Sequence, residues 1–294
     1  MEPQTIAVIM TCYNRREKTL ESLAGLFTQK LPPEVILTVY LVDDGSTDGT
    51  SEGVQEQYPN VKLLKGNGSL FWNGGMRRAF AEAIASDPEF YLWLNDDTVL
   101  YPDAIAKALS TYQLLKAQGE LLGVVIGSTC DPQTHLLTYG GMVQKNWWHP
   151  LKFKLRPPED KPLRCDTMNG NFVLIPRDIG AKVGNLDPNF VHSTGDMDYG
   201  LRVKQNGGSV WIVPGYIGTC PVNSLGGDCW ADPKLQVWER LKKVNQPKGL
   251  PMGEWKVFAQ RHAGIFWPVF WLLPYFRLLL ASAFGGKMSS HINH

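Results

Sequence analysis

Two short apolar runs in the N-terminal third of the chain end in paired acids, and no other feature restricts the fold as much. Val35–Val42 (VILTVYLV) leads into Asp43-Asp44-Gly45-Ser46, and Phe90–Leu94 (FYLWL) leads into Asn95-Asp96-Asp97. Unbroken runs of this length, rich in β-branched and aromatic residues, suit strands covered on both faces, as in a parallel sheet. Ile6–Cys12 (IAVIMTC) and Val61–Leu64 are of the same kind. Helical segments separate them. The first opens at Asn14 in an Asx-x-x-Glu capping pattern and runs to Gln29, and the second is capped by Asp48 and runs to Tyr58. A third spans Met76–Ser86 after a glycine- and asparagine-rich loop (Gly66–Gly75), and a fourth runs from Pro102 to near Gly119. Strand and helix in alternation predict a doubly wound, mainly parallel α/β sheet with right-handed crossovers. The acids then stand at the C-terminal ends of two strands, where open α/β sheets bind ligands.

From Gly123 onward strands dominate: Val124–Thr129, Leu136–Val143, Phe172–Ile175 and Ser209–Val213, with short helices at Arg177–Val183 and Asp198–Gln205. The Pro- and Lys-rich stretch Pro150–Pro162 reads as an exposed loop. Lys and Arg number 29 against 28 Asp and Glu, a balance that gives no sign of a nucleic-acid partner. Five cysteines (Cys12, Cys130, Cys165, Cys220, Cys229) have no CxxC spacing, so neither a disulfide framework nor a zinc ribbon is indicated, and free thiols point to a reducing, cytoplasmic setting. No basic stretch followed by an apolar signal region precedes the first strand. Ala263–Phe276 (AGIFWPVFWLLPYF) is free of charge but too short to span a bilayer. With Pro268 and Pro274 inside it, the expectation is a segment lying in a membrane interface, on the inner face, rather than a helical hairpin covering the core. The partner contact is expected through residues 255–287, where Lys256, Arg261, Arg277 and Lys287 favour anionic headgroups.

An enzyme acting on a nucleotide sugar must hold a diphosphate and neutralise the charge that builds on it as it leaves. Mg²⁺ or Mn²⁺ on carboxylate and phosphate oxygens is the usual solution, and Asn95-Asp96-Asp97 offers two adjacent carboxylates. Such a pair alone is as readily a turn or a helix cap. Taken together, TCYNR, LVDDGSTDGT, LWLNDDT and GDMDYGLR occur in the order and spacing of family 2 glycosyltransferases, a resemblance covering residues 5–215. It implies a GT-A fold: a catalytic domain over 1–225, with a nucleotide-sugar half (1–120) and an acceptor half (121–225), and a C-terminal helical extension (226–294).

By the same resemblance, Asp43 or Asp44 accepts the imide N–H of a uracil or thymine, and Thr11, Tyr13 and Arg15 of TCYNR adjoin the donor. Asn95-Asp96-Asp97 matches the DxD-type metal motif with Asn95 in place of the first acid. Asp97 is then the metal ligand, and Asp96 contacts the ribose or donor sugar. Gly195–Arg202 resembles a Glu-Asp-x-Asp-x-x-x-Arg stretch, which makes Asp196 the base that deprotonates the acceptor hydroxyl. Asp198 and Arg202, four apart on a helix, suit an ion pair that orients the motif. Gly195 replaces the family's usual Glu, and Gly215–Cys220 carries no His where relatives have one. Gly68–Arg77 resembles the loop-to-helix segment of a rhamnosyltransferase-like branch, which puts Trp72, Asn73, Gly74 and Arg77 against the donor. Trp147 and Trp148 can stack on an acceptor sugar.

The implied activity is transfer of one hexosyl or deoxyhexosyl unit, with inversion, from a UDP- or dTDP-sugar to a saccharide or lipid-linked hydroxyl in cell-surface glycan synthesis. Two rivals stand beside it. A sugar nucleotidyltransferase shares the alternation, but Thr11–Arg15 is not its Gly-rich phosphate loop. A non-catalytic nucleotide-sugar-binding protein would share the fold and leave the donor intact.

Overall fold

The computed structural model describes residues 4–222, 230, 232 and 235–283. Cys229 and Lys287 lie outside them. The first half follows the expected alternation: β1 (Gln4–Cys12), α1 (Arg16–Phe27), β2 (Val35–Asp43), α2 (Thr50–Gln57), β3 (Lys62–Lys65), α3 (Phe71–Ile84), β4 (Phe90–Leu94), β5 (Val99–Leu100) and α4 (Ala104–Ala117). Then come β6 (Gly123–Cys130), β7 (Leu137–Tyr139), β8 (Gly141–Asn146), β9 (His149–Leu155), β10 (Leu163–Cys165), β11 (Thr167–Met168) and β12 (Phe172–Pro176). The chain continues through α5 (Arg177–Val183), α6 (Gly195–Gln205), β13 (Ser209–Thr219), α7 (Val237–Val244), α8 (Met252–His262) and α9 (Trp267–Ala283).

The main sheet has the order β10-β13-β6-β12-β4-β1-β2-β3, with β5 and β7 attached to β13 and β6. β3, β2, β1 and β4 are mutually parallel, as are β6 and β13, while β12 enters antiparallel between β4 and β6. Successive residues of β1 serve opposite cores, which is why its run is apolar without alternation. Ile6, Val8 and Met10 pack with Leu23 and Leu26 of α1 and Ile105 of α4. Ala7 and Ile9 pack with Met76 and Phe80 of α3 and Tyr199 of α6.

Three local expectations are corrected. The helix expected at Met76 begins at Phe71, so Gly74 and Gly75 lie inside it rather than in a loop. A Cβ on Gly75 would lie 2.0 Å from Thr11 Oγ1, so glycine here lets α3 approach β1. Second, the stretch read as a loop from Pro150 contains most of β9, which pairs with β8 in a three-stranded sheet. Its lysines hide a period of two: Leu151 and Phe153 are buried and Lys154 is exposed. Third, α1 is not capped by Asn14. The amide of Arg16 donates instead to Asp48 Oδ2 (3.0 Å) from the following turn, while Asn14 Oδ1 accepts from Thr47 N (2.7 Å).

The C-terminal segment folds as a helical hairpin, turning at Gly264 (φ +61) between α8 and α9. Pro268 falls in the first turn of α9, where its missing N–H has no partner to lose, and Pro274 is accommodated within the helix. α8 and α9 share a third core with β8 and β9, in which Trp255, Phe258, Tyr275 and Leu278 meet Met142, Leu151 and Phe153. Among the described residues, no helix is long and apolar enough to cross a membrane. Cys12, Cys130, Cys165 and Cys220 are buried free thiols.

Candidate active site

The ends of β1, β2 and β4, the start of β12 and the N-terminus of α6 meet at one edge of the sheet. Backbone pairing fixes the meeting: β1 lies between β2 and β4, and Asn95 N donates to Asn171 O (3.1 Å), joining the β4 end to the turn before β12. Trp72, from the first turn of α3, donates its indole N–H to Asn95 Oδ1 (2.8 Å) and stands edge-on to Trp93. Its ring lies over Gly170, where a Cβ would come within 2.4 Å of it and 3.4 Å of the Asp196 Cβ. Asp196 is thereby brought beside Trp72 and the acidic end of β4.

The Asp196 carboxylate accepts Gly170 N (2.9 Å) on one oxygen and Met197 N (2.7 Å) on the other. Burial pushes it up to about 6, against the two amides that favour its ionised form. Asp198, two residues on, is different in kind. It is fully buried, bonded to Arg202 Nε (2.8 Å), Arg261 Nη1 (2.6 Å) and His262 Nε2 (2.9 Å). Burial raises its carboxyl, but His262, Arg202 and Arg261 together hold it below the ordinary aspartate range.

Asp96 and Asp97 are buried and share one cation: Arg15 Nη1 lies 2.8 Å from Asp97 Oδ2 and 3.3 Å from Asp96 Oδ1. Burial and then the Asp97 charge raise Asp96 to about 7, with Arg15 opposing. The second oxygen of Asp97 accepts from the Cys220 thiol (3.5 Å), just past the end of β13. Among the described residues, no group of three or more His, Cys, Asp and Glu side chains is arranged to hold a metal. The pair nonetheless suits Mg²⁺ or Mn²⁺. Two adjacent buried carboxylates already draw a cationic side chain between them, and a divalent ion would complete its shell from phosphate oxygens and water.

The Asp43-Asp44 turn divides its work. Asp44 accepts Gly68 N (2.9 Å), Leu70 N (2.9 Å) and Phe71 N (3.0 Å), so it caps the N-terminus of α3. Asp43 accepts Ser46 N (2.8 Å) and the Ser51 hydroxyl. The N–H groups at the start of α3 are thus in part spent on Asp44. Asn73 is corrected more firmly. It is fully buried, and its amide donates to Asp187 O (3.0 Å) and Phe190 O (2.7 Å), so it ties α3 to the loop before α6 rather than facing a donor. It also explains Gly195, where a Cβ would lie 2.0 Å from Asn73 Oδ1, leaving no room for a glutamate.

Of the remaining expected residues, Thr11 is buried, with its hydroxyl on Val42 O (3.2 Å), and Tyr13 is exposed. Gly74 and Arg77 are half-buried along α3, where the Arg77 carbonyl accepts from Asn185. Trp147 and Trp148 form the β8–β9 turn and are exposed. Trp148 meets His149, which packs on Phe270 of α9, so this turn sits with the C-terminal hairpin. His192, which the motifs did not single out, lies edge-on to Phe71, with its Nδ1 buried and unpaired. Burial and then the Lys248 and Arg15 charges depress it to about 4, so it is a neutral imidazole within the field of Arg15. Asn14 (φ +50), Phe71 (φ +53) and Thr194 (φ +63) all hold left-handed backbone beside these motifs. For a bulky or β-branched residue that is strain of the kind found at functional sites.

Residues 3–245 match the sequence family described as Glycosyltransferase like family 2. The chain is 27% identical over 230 residues to an N-acetylglucosaminyl-diphospho-decaprenol L-rhamnosyltransferase of Mycobacterium tuberculosis, covering 71% of this chain and 73% of that protein. It is 28% identical over 234 residues to the galactofuranosyltransferase GlfT2 of Mycolicibacterium smegmatis, covering 71% of this chain and 36% of that protein. Among solved structures, the mannosyltransferase PcManGT from Pyrobaculum calidifontis in complex with GDP-Man and Mn²⁺ matches with a TM-score of 0.54 at 17% identity, over 98% of this chain and 77% of that chain. S. aureus TarS 1–349 in complex with UDP-GlcNAc matches with a TM-score of 0.55 at 12% identity, over 87% of this chain and 71% of that chain. The fold is that of the GT-A glycosyltransferases.

Proposed function

Because the chain belongs to the glycosyltransferase-like family 2, we propose that it moves one hexosyl or deoxyhexosyl unit from a UDP- or dTDP-sugar to a hydroxyl of a lipid-linked or saccharide acceptor, with inversion. The lipid-linked class is favoured by the M. tuberculosis relative, whose name gives a sugar on a lipid diphosphate as the acceptor. The observation that carries the reading is the half-buried Asp196 carboxylate, raised to about 6 and set beside Trp72, whose indole is tied to the strand end bearing Asp96 and Asp97.

In the proposed step, the acceptor hydroxyl gives its proton to Asp196 as its oxygen bonds to C1 of the donor sugar, while the bond from C1 to the diphosphate oxygen breaks on the opposite face. A base that titrates just below neutrality is ionised at pH 7 yet basic enough to assist. Trp72 offers the sugar an apolar wall with its N–H already satisfied. A Mg²⁺ or Mn²⁺ ion on Asp97 and Asp96 supplies, when bound, the positive charge that stabilises the departing nucleoside diphosphate. Arg15 already sits on that pair, so its guanidinium is within reach of the same phosphates. For the base contact, Asp43 is favoured over Asp44, since one of its two donors is a hydroxyl that can rotate while Asp44 is held by three backbone amides.

Asp196→Asn keeps the shape and removes the basic oxygen. Donor binding should persist while turnover falls roughly 10²–10⁴-fold, the usual contribution of a positioned base. Near-normal transfer by this variant would move the base elsewhere.

A further inference from the structure

The hairpin of α8 and α9 covers the third core with one side and leaves the other side uncovered. Ile265, Phe266, Val269, Leu272, Phe276 and Leu279 are all exposed, Ile265 by 86%. The last four recur at helical spacing and so share one face of α9, turned away from the buried Leu278. An apolar stripe backed by an apolar core face is not how a helix in contact with water is built.

The tertiary structure sets a second element beside this stripe. His149 packs against Phe270 of α9 with ring centroids 4.8 Å apart, so the β8–β9 turn abuts the hairpin and holds out Trp147, 92% exposed, and Trp148. Indole rings exposed beside an aliphatic surface are the side chains that settle at a bilayer interface.

Charge identifies the occupant. From Gln144 to Arg156 the chain carries Lys145, Lys152, Lys154 and Arg156, and from Trp255 to Ala283 it carries Lys256, Arg261 and Arg277, with no acid in either stretch. Arg261 turns inward to Asp187 and Asp198, while Lys145, Lys154, Lys256 and Arg277 are exposed. Arg277 and Lys152 lie close enough to His149 that their charges add to burial in lowering it. Lys256 Nζ stands 5.5 Å from the Trp271 ring. A chain of balanced net charge thus carries cations, and no acid within either stretch, beside a cluster of exposed aromatic and aliphatic side chains; Asp166, which accepts Gln144 N (2.7 Å) nearby, is paired with Lys204. We propose that the β8–β9 turn and the outer face of the α8–α9 hairpin form one docking surface for an anionic lipid bilayer.

The surface is fixed relative to the site. The inner side of α8 sends Arg261 and His262 onto Asp198 of α6, two residues from Asp196, and Glu254 accepts Val191 N (3.1 Å) from the loop before it. Docking therefore sets the orientation of α6 to the membrane, without any need for a spanning helix.

The test is flotation of the full chain with vesicles of phosphatidylcholine alone and of phosphatidylcholine with phosphatidylglycerol, at low and high salt. The chain should float with the anionic vesicles, less so at high salt. Val269→Asp/Phe276→Asp should bind at least tenfold more weakly, and Trp147→Ala/Trp148→Ala several-fold. All of these residues are exposed, so the variants should keep the wild-type melting temperature. Equal flotation of wild type and variants would overturn the proposal. So would absence of flotation together with a dimer in analytical ultracentrifugation that the aspartate variants split, since a second copy would then own the surface. UDP or dTDP binding in solution, measured on the same samples, separates the two readings. Lost docking with nucleotide binding intact leaves the transfer reading standing, and docking without nucleotide binding does the reverse.

Discussion

At the scale of residues, the two acids of α6 illustrate how environment divides roles between like side chains. Asp196 has amides but no cation, and burial raises it; Asp198 has three cationic or imidazole partners, and they lower it. The signs for stability are opposite. A raised folded value means that wild type loses stability as pH rises through about 6, so Asp196→Asn should melt at or above the wild-type temperature at pH 8. Transfer, by contrast, should rise with pH through the same range, because the base must be ionised. A kcat profile flat down to pH 5 would remove Asp196 from that role. Asp97→Ala should abolish the Mn²⁺ dependence of nucleotide binding, and unchanged affinity in calorimetry with Mn²⁺ would refute the assignment. Gly195→Ala places a methyl against Asn73 and should destabilise by about 1–3 kcal/mol, the usual cost of overpacking. If that collision is the cause, adding Gly195→Ala to Asn73→Ala should cost little more than Asn73→Ala alone. The Gly195 departure was legible as a departure, but its reason was not. Asn73 and Gly195 are distant in sequence, and only packing sets the amide where the glutamate would stand.

Elements were legible to different degrees for physical reasons. Strands buried on both faces announce themselves as apolar runs, so β1, β2 and β4 were visible with the acids at their ends. β9 was not, because proline at its start and lysines on its outer face look like a loop when only one side is covered. The start of α3 was hidden by its glycines, which serve a close approach to β1 rather than a turn. The antiparallel entry of β12 has no local signal, since pairing direction is set by neighbours. α6 is held by the hairpin through Asp198, and here the element-scale prediction follows. Asp198→Asn takes from Arg202 its carboxylate partner and leaves Arg261 only Asp187, and should cost roughly 3–5 kcal/mol, as breaking one side of a buried ion pair does. Because the folded carboxyl is depressed, its contribution is full at neutral pH and is lost as pH falls through its folded value, so wild type and variant should converge in acid. Thermal melts at pH 7 and at pH 3 measure this, and the variant should retain transfer below its melting temperature.

At the scale of the whole molecule, the acid-bearing edge of the sheet, Asp196 on α6 and an apolar, cationic outer face are parts of one body. If the Asp43 turn reads the base, UDP or dTDP should compete with donor at least tenfold better than ADP, about 1.4 kcal/mol. Equal inhibition by all three would take that role from the turn. The sequence by itself determined the alternation, the sheet class and the placing of acids at strand ends, because burial on two faces and helix periodicity are written in neighbouring residues. It also carried the order of motifs by which the family resemblance was drawn. Only the tertiary structure decided that Arg15 sits on Asp96 and Asp97, that Asp44 caps a helix and Asn73 leaves no room for a side chain at position 195, and that the turn bearing Trp147 and Trp148 joins α9 through His149. Each of these depends on side chains brought together from distant parts of the chain, where the contact exists only after the sheet has ordered its strands.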